Sequence, residues 1–212
     1  RHAAPRPGLH GWRDAQRMTL TVKSLSRFTQ ELVTLIGRPT DLRPFVCDGS
    51  PLDCEAFVVG FNPATEMAID FWEFWSEEQG FDKQHWLEAY RSERRNRPLG
   101  PGKIRRSEVS NSRRVLEWVL EEAAPVKCLE TNIYARPSER LTDLESDHRL
   151  TAPFDFLLGA VEPKIVIAHG KDAGSHIKAT LPTVETRCVP HFSRGWSQER
   201  ARRLGREIRD AC

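Results

Sequence analysis

Two segments, Phe57-Val58-Val59 and Ile165-Val166-Ile167-Ala168, are apolar at every position. A strand with one wet face alternates apolar and polar residues, so an unbroken apolar run must be buried on both sides. That requirement points to a parallel sheet covered by helices on two faces, joined by βα connections. The first run ends in Gly60-Phe61-Asn62-Pro63-Ala64. Proline fixes a sharp turn there and leaves the Asn62 side chain at its tip. In open α/β sheets, ligands bind just beyond the carboxyl ends of the strands.

The rest of the chain alternates in the same way. Leu25, Phe28, Leu32 and Leu35 recur at helical spacing and predict a helix over about 19–36, stopped by Gly37-Arg38-Pro39. Strands are expected at about 55–60, 126–132, 164–168 and 184–189. Helices are expected near 66–78, 83–95, 108–122 and 151–160, with a short one after His169-Gly170. Ser197 is placed to cap a final helix carrying Leu204 and Ile208. The fold class expected is therefore a three-layer α/β/α domain with a four-stranded, mainly parallel central sheet, over residues 18–212. Residues 1–17 carry two prolines and no apolar period, and Met18 is a plausible natural start. The stretch before it reads as a tail outside the fold, either disordered or left from expression.

Composition excludes several classes. Apolar residues make up 39% and charged residues 29% of the 212 positions, as in globular proteins. No run approaches the roughly 18 apolar residues of a membrane span, and no secretory core is seen, so a cytoplasmic protein with no membrane partner is expected. Cys47, Cys54, Cys128, Cys188 and Cys212 are odd in number and irregularly spaced, which reads as free thiols. The net charge of +2 hides an asymmetry. Residues 91–114 hold nine cationic side chains against two carboxylates, and residues 194–209 hold six against two. Such segments suit a polyanion, or form a solvated arginine-rich surface.

Four polar positions follow the four expected strands: Asn62, Asn132, His169 and His191. Parallel strands would bring all four to one edge of the sheet. Each also has a bland reading. Asn before Pro starts turns, Asn132 reads equally as a strand-end turn residue or a site residue, and a histidine such as His169 is commonly a satisfied, partly buried residue. The aromatic cluster of Phe71, Trp72, Phe74, Trp75, Phe81 and Trp86 serves either as core or, in one member, as a stacking platform.

Gly60-Phe61-Asn62-Pro63-Ala64 resembles the first motif of the uracil-DNA glycosylase superfamily, Gly-x-Asn-Pro-Gly or Gly-x-Asp-Pro. His191-Phe192-Ser193-Arg194 resembles its second motif, His-Pro-Ser-Pro. Thr131-Asn132 is similar to the family's strand-end asparagine, and Lys164–Gly170 to its third strand. Order and spacing agree from about residue 55 to residue 210. The resemblance implies a monofunctional, monomeric base-excision enzyme acting on double- or single-stranded DNA, hydrolysing the N-glycosidic bond of uracil or another deaminated base, without cofactor or metal. Asn62 would position water and His191 would stabilise the departing base. Gly60, Phe61, Pro63, Ala64, Asn132, Ser193 and an aromatic among Phe71, Trp72, Phe74 and Trp75 would bind the flipped nucleotide. Arg105, Arg106, Arg113, Arg194 and Arg200 would hold DNA, and Trp196 with Arg194 would fill the gap left in the duplex.

The departures are Phe192 in place of proline, Ala64 in place of glycine, and an amide at position 62 in place of the acid of the fastest uracil-specific branch. Some branches of the family hold an iron–sulfur cluster on four cysteines. Cys47 and Cys54 are seven apart and no Cys-x-x-Cys occurs, so none is expected. His169, His176 and Cys188 lack metal-ligand spacing. Two alternatives stay open: a non-catalytic nucleic-acid-binding or damage-sensing module, and a small-molecule nucleoside or nucleotide hydrolase.

Overall fold

The computed structural model describes residues 24–63, 67–102, 104–138, 144, 148–181 and 183–212. The tail expected at 1–17, and Ala64 among the site residues, lie outside the described residues.

The chain is an α/β protein. Among the described residues seven short strands are formed: β1 (Phe45–Val46), β2 (Ala56–Gly60), β3 (Trp75–Ser76), β4 (Gly80–Phe81), β5 (Cys128–Asn132), β6 (Ile165–His169) and β7 (Glu185–Val189). The helices are α1 (Leu25–Ile36), α2 (Lys83–Asn96), α3 (Asn111–Ala123), α4 (Ala152–Val161), α5 (Lys171–Thr180) and α6 (Gln198–Ala211). The main sheet has five strands in the order β1-β5-β2-β6-β7. β5, β2, β6 and β7 run parallel, and β1 lies antiparallel to β5 at the edge.

The expected sheet had four strands; the fifth, β1, is two residues long, too short to show a period of its own. The helix expected over 66–78 does not form. Asp70 instead caps a single tight turn over Phe71–Phe74, accepting from the Trp72 N–H, and a hairpin of β3 and β4 follows. The aromatic spacing that suggested a helix is satisfied otherwise: Phe71, Trp72, Phe74 and Trp75 are all buried in the tight turn and the strand that follows it.

Alternate residues of the central strands face opposite layers. Phe57, Val59, Leu129, Val166 and Ala168 pack with α1, α2, α4, α5 and the aromatic turn. Ala56, Val58, Ile165 and Ile167 pack with α3 and α6. The unbroken apolar runs thus bury both faces, each such side chain contributing about 2 kcal/mol of transfer free energy. Serines 24, 110 and 197 and Asp82 accept from main-chain N–H groups at the starts of α1, α3, α6 and α2. α3 and α6 approach closely at Gly205, where a Cβ would stand 2.5 Å from the Val119 carbonyl oxygen.

Candidate active site

The chain order places β2 in the centre, with β5 on one side and β6 on the other. This is a topological switch point, where the loops leaving neighbouring strands part and open a crevice. Register then decides which residues meet there. Gly60 pairs with Asn132, Val59 with Ala168, and His169 with Val189. Asn132, Gly60, His169 and Val189 therefore form one row across the strand ends. Gly60, in the middle, has no side chain, so its neighbours lean over it. A Cβ built there would lie 2.4 Å from Asn132 Oδ1 and 3.0 Å from His169 Nε2. Real Cβ atoms do not approach this closely, so glycine is required at this point for the two side chains to sit where they do.

Beyond β2 the turn is tied to the segment after β5. The N–H groups of Ile133, Tyr134 and Ser138 donate to the carbonyls of Gly60, Phe61 and Pro63 at 3.1, 3.0 and 2.9 Å. Asn62 Nδ2 donates to the Ser138 carbonyl at 3.0 Å and to Ser138 Oγ at 2.9 Å. A carbonyl only accepts, so the amide orientation is determined: nitrogen toward Ser138, with Oδ1 accepting from no group among the described residues. Such an oxygen can hold a water by one of its protons.

His191 follows β7 by two residues. The Ser193 main-chain N–H donates to His191 Nδ1 at 3.2 Å, and Ser193 Oγ lies 2.8 Å from the same nitrogen. A backbone N–H can only donate, so Nδ1 is the acceptor and the proton of the neutral ring is on Nε2. Burial lowers the His191 pKa below its ordinary value, which keeps the ring neutral at pH 7. His169 is pushed further, down to about 3, by burial first and then by His191 and Arg113. Its ring stacks on Phe192 at 4.4 Å and 14° and lies 5.0 Å from the His191 ring. Its Nδ1 is buried with no hydrogen-bond partner.

Asn62, Pro63, Asn132, His169, His191, Phe192 and Ser193 line one cavity of about 470 Å³. Of the aromatic candidates, Phe71 and Phe74 line it. Trp72 and Trp75 do not; they turn into the core, their indole N–H groups donating to the Gly37 carbonyl and to Thr29 Oγ1. Phe61 packs edge-on against Tyr134 at 5.1 Å.

The cationic candidates separate. Arg113 stands in the cavity wall, largely enclosed, paired with Glu130 and Glu117 and with its guanidinium 4.6 Å from the Trp86 ring centre. Lys83 completes the cluster, 2.9 Å from Glu130. Arg113 is thus neutralised by carboxylates and is not a surface phosphate contact. Arg106 donates to the Pro98 carbonyl, while Arg105, Arg194 and Arg200 are exposed. Trp196 is not free to enter a duplex: its indole N–H donates to the Pro190 carbonyl, its ring meets Phe192 edge-on, and the Arg200 guanidinium covers it at 4.4 Å. In α6, Arg202, Arg206 and Arg209 gather on Glu122 of α3, so part of that basic segment holds two helices together.

Sequence reasoning missed Ser138, which aims Asn62, and Glu130. A carboxylate in the buried strand Cys128–Asn132 is itself a signal, because a charge enters a sheet core only with partners. Burial alone would push the Glu130 carboxyl up; Arg113 and Lys83 outweigh it and hold it below its usual value. Among the described residues, no group of three or more His, Cys, Asp or Glu is arranged for a metal ion, and no helix is long and apolar enough to cross a membrane. No protein-family model matches the chain, and no curated protein matches it.

Proposed function

We propose that this chain hydrolyses the N-glycosidic bond of uracil or another deaminated base in DNA, on a uracil-DNA glycosylase-like fold. The observation that carries the reading is the convergence of three oriented polar groups on one hollow. Asn62 Oδ1 accepts from no group among the described residues, Asn132 is folded over Gly60, and His191 carries its proton on Nε2. In the reaction, Asn62 holds the attacking water by its carbonyl oxygen; it positions the water and takes no proton. The bond from the sugar carbon to the base breaks with its electron pair going to the base. Negative charge builds on the base oxygen, and a neutral Nε2–H donor stabilises it without having to give up the proton. The water oxygen bonds to the sugar carbon, the proton it sheds passes to bulk water, and the released base anion takes up a proton from the same source. Asn132 offers a donor and an acceptor to one edge of the base, and Phe71 and Phe74 supply aromatic faces. The exposed arginines at 105, 194 and 200 bear on DNA phosphates.

Oligonucleotides carrying a single uracil or hypoxanthine, incubated with the protein and then heated in alkali, test this. Cleavage at the modified position, lost in Asn62→Ala while DNA binding persists, is the expected result. No scission with either base at enzyme excess would remove the enzymatic reading. One observation favours a second: about 470 Å³ lies within the ~300–1,000 Å³ of pockets that enclose a whole small molecule. Release of uracil from free deoxyuridine monophosphate, faster than from an oligonucleotide, would select a small-molecule hydrolase.

A further inference from the structure

The turn that carries His191 has a second cavity on its other side, about 210 Å³ in volume. Phe192 and Ser193 line both cavities, so the two border the same turn. Besides Asn111, Val115 and Gly195, the wall of the second holds two indoles and two arginines: Trp118 and Arg114 from α3, and Trp196 and Arg194 from the loop before α6. Trp118 is half-buried against the α3–α6 core, and its indole N–H meets no protein acceptor among the described residues. Trp196 is held rigid by the Pro190 carbonyl, Phe192 and Arg200, and a clamped ring loses little freedom when a ligand stacks on it. Arg114 and Arg194 are exposed, and neither is paired with a carboxylate among the described residues; Arg114 donates only to the Ser107 hydroxyl, at 2.8 Å.

Indoles for a π-face, beside cations free of counter-charge, are the combination by which proteins hold single-stranded nucleic acid. Resting on the glycosylase reading, we propose that the second cavity binds the nucleotide next to the one whose base enters the first. Its base lies against Trp118 and Trp196, and its phosphate against Arg114 and Arg194. In a duplex that neighbouring base is paired and stacked, so this subsite favours single-stranded or locally opened DNA.

The test uses fluorescein-labelled single-stranded oligonucleotides containing one 2′-fluorinated deoxyuridine, whose glycosidic bond resists cleavage. Three are compared by anisotropy: both neighbours intact, the 5′ neighbour replaced by an abasic residue, and the 3′ neighbour so replaced. The wild-type protein is expected to lose roughly tenfold in affinity on one side and not the other. Trp118→Ala should bind all three alike, and Trp118→Phe should restore part of the difference. Should Trp118→Ala fail to fold, the wild-type series decides alone. Equal affinity for all three, with release of uracil from cleavable DNA intact, overturns the second subsite and leaves the glycosylase reading standing. Binding that does not distinguish uracil from thymine, with no base release, overturns both.

Discussion

Replacing His169 with asparagine should make the protein less sensitive to acid. His169 is held neutral in the folded chain, with a pKa near 3, whereas in the unfolded chain it titrates near 6.5. Between those values the unfolded state binds a proton that the native state refuses, so stability falls as the pH drops below 6.5 and stops falling below about 3. Each pH unit in that window removes about 1.4 kcal/mol. From pH 7.5 to pH 5 the loss assigned to this one ring is thus about 2 kcal/mol. With a urea m-value of roughly 2 kcal/mol per molar, that is about 1 M in the denaturation midpoint. The assay is urea unfolding of the wild type and of His169→Asn at both pH values. The substitution also removes the stack on Phe192 and so lowers stability at every pH, and for that reason only the pH-dependent difference is read. His191 pulls in the same direction in both proteins and cancels to first order. An equal loss in the two proteins between pH 7.5 and pH 5 would show that His169 is not held neutral by its surroundings.

Gly60→Ala should abolish activity and lower stability by about 1–3 kcal/mol, because the new methyl stands 2.4 Å from Asn132 Oδ1 and the row across the strand ends must open; activity and thermal melts check it. Glu130→Gln should destabilise by about 3–5 kcal/mol, since Lys83 and Arg113 keep their charges and lose their buried counter-ion; denaturant unfolding at pH 7 reads this directly. Base release should fall in acid as His191 takes a second proton, with a midpoint below the 6.5 of an ordinary imidazole because burial lowers its pKa; that proton would set Nδ1–H against the Ser193 N–H that now donates to it. His191→Gln should slow the chemical step by roughly 10²–10³-fold with little change in DNA binding; single-turnover rates and anisotropy separate the two effects.

The parts of the fold legible in the sequence were those governed by burial on both faces. Phe57–Val59 and Ile165–Ala168 needed covering layers, and the strand ends that followed fell together because the strands are parallel. Asn62, Asn132, His169 and His191 were placed by topology alone. The illegible parts depended on contacts between distant segments. Phe45–Val46 forms a strand only because Thr131 and Glu130 offer it an edge. The stretch 71–81 abandons helix because Asp70 caps a tight turn and Gly80 lies against Gly49, where a Cβ would stand 2.4 Å from the Gly49 carbonyl oxygen. Ser138 aims Asn62 across 76 residues of sequence, a pairing no local pattern announces. Arg113 looked like one of many surface arginines, and only the fold reveals that its counter-charges are Glu117, one turn along the same helix, and Glu130, on a buried strand.

Phe192 stands where the motif that this segment resembles has proline, and its surroundings show what the phenylalanine does. The ring is 1% exposed. One face stacks on His169, and Trp196 meets it edge-to-face. A proline at this position would fix one backbone angle and leave that volume empty. Phenylalanine fixes the turn by burial instead, and the same ring excludes water from His169 and supplies the wall common to both cavities. Holding His191 in place and walling off the two cavities from each other are therefore a single packing event. Because Phe192 and Ser193 line both cavities, a shift of the turn between Pro190 and Ser193 that enlarges one reshapes the other, and on the glycosylase proposal an occupant of the second cavity bears on where His191 stands in the first.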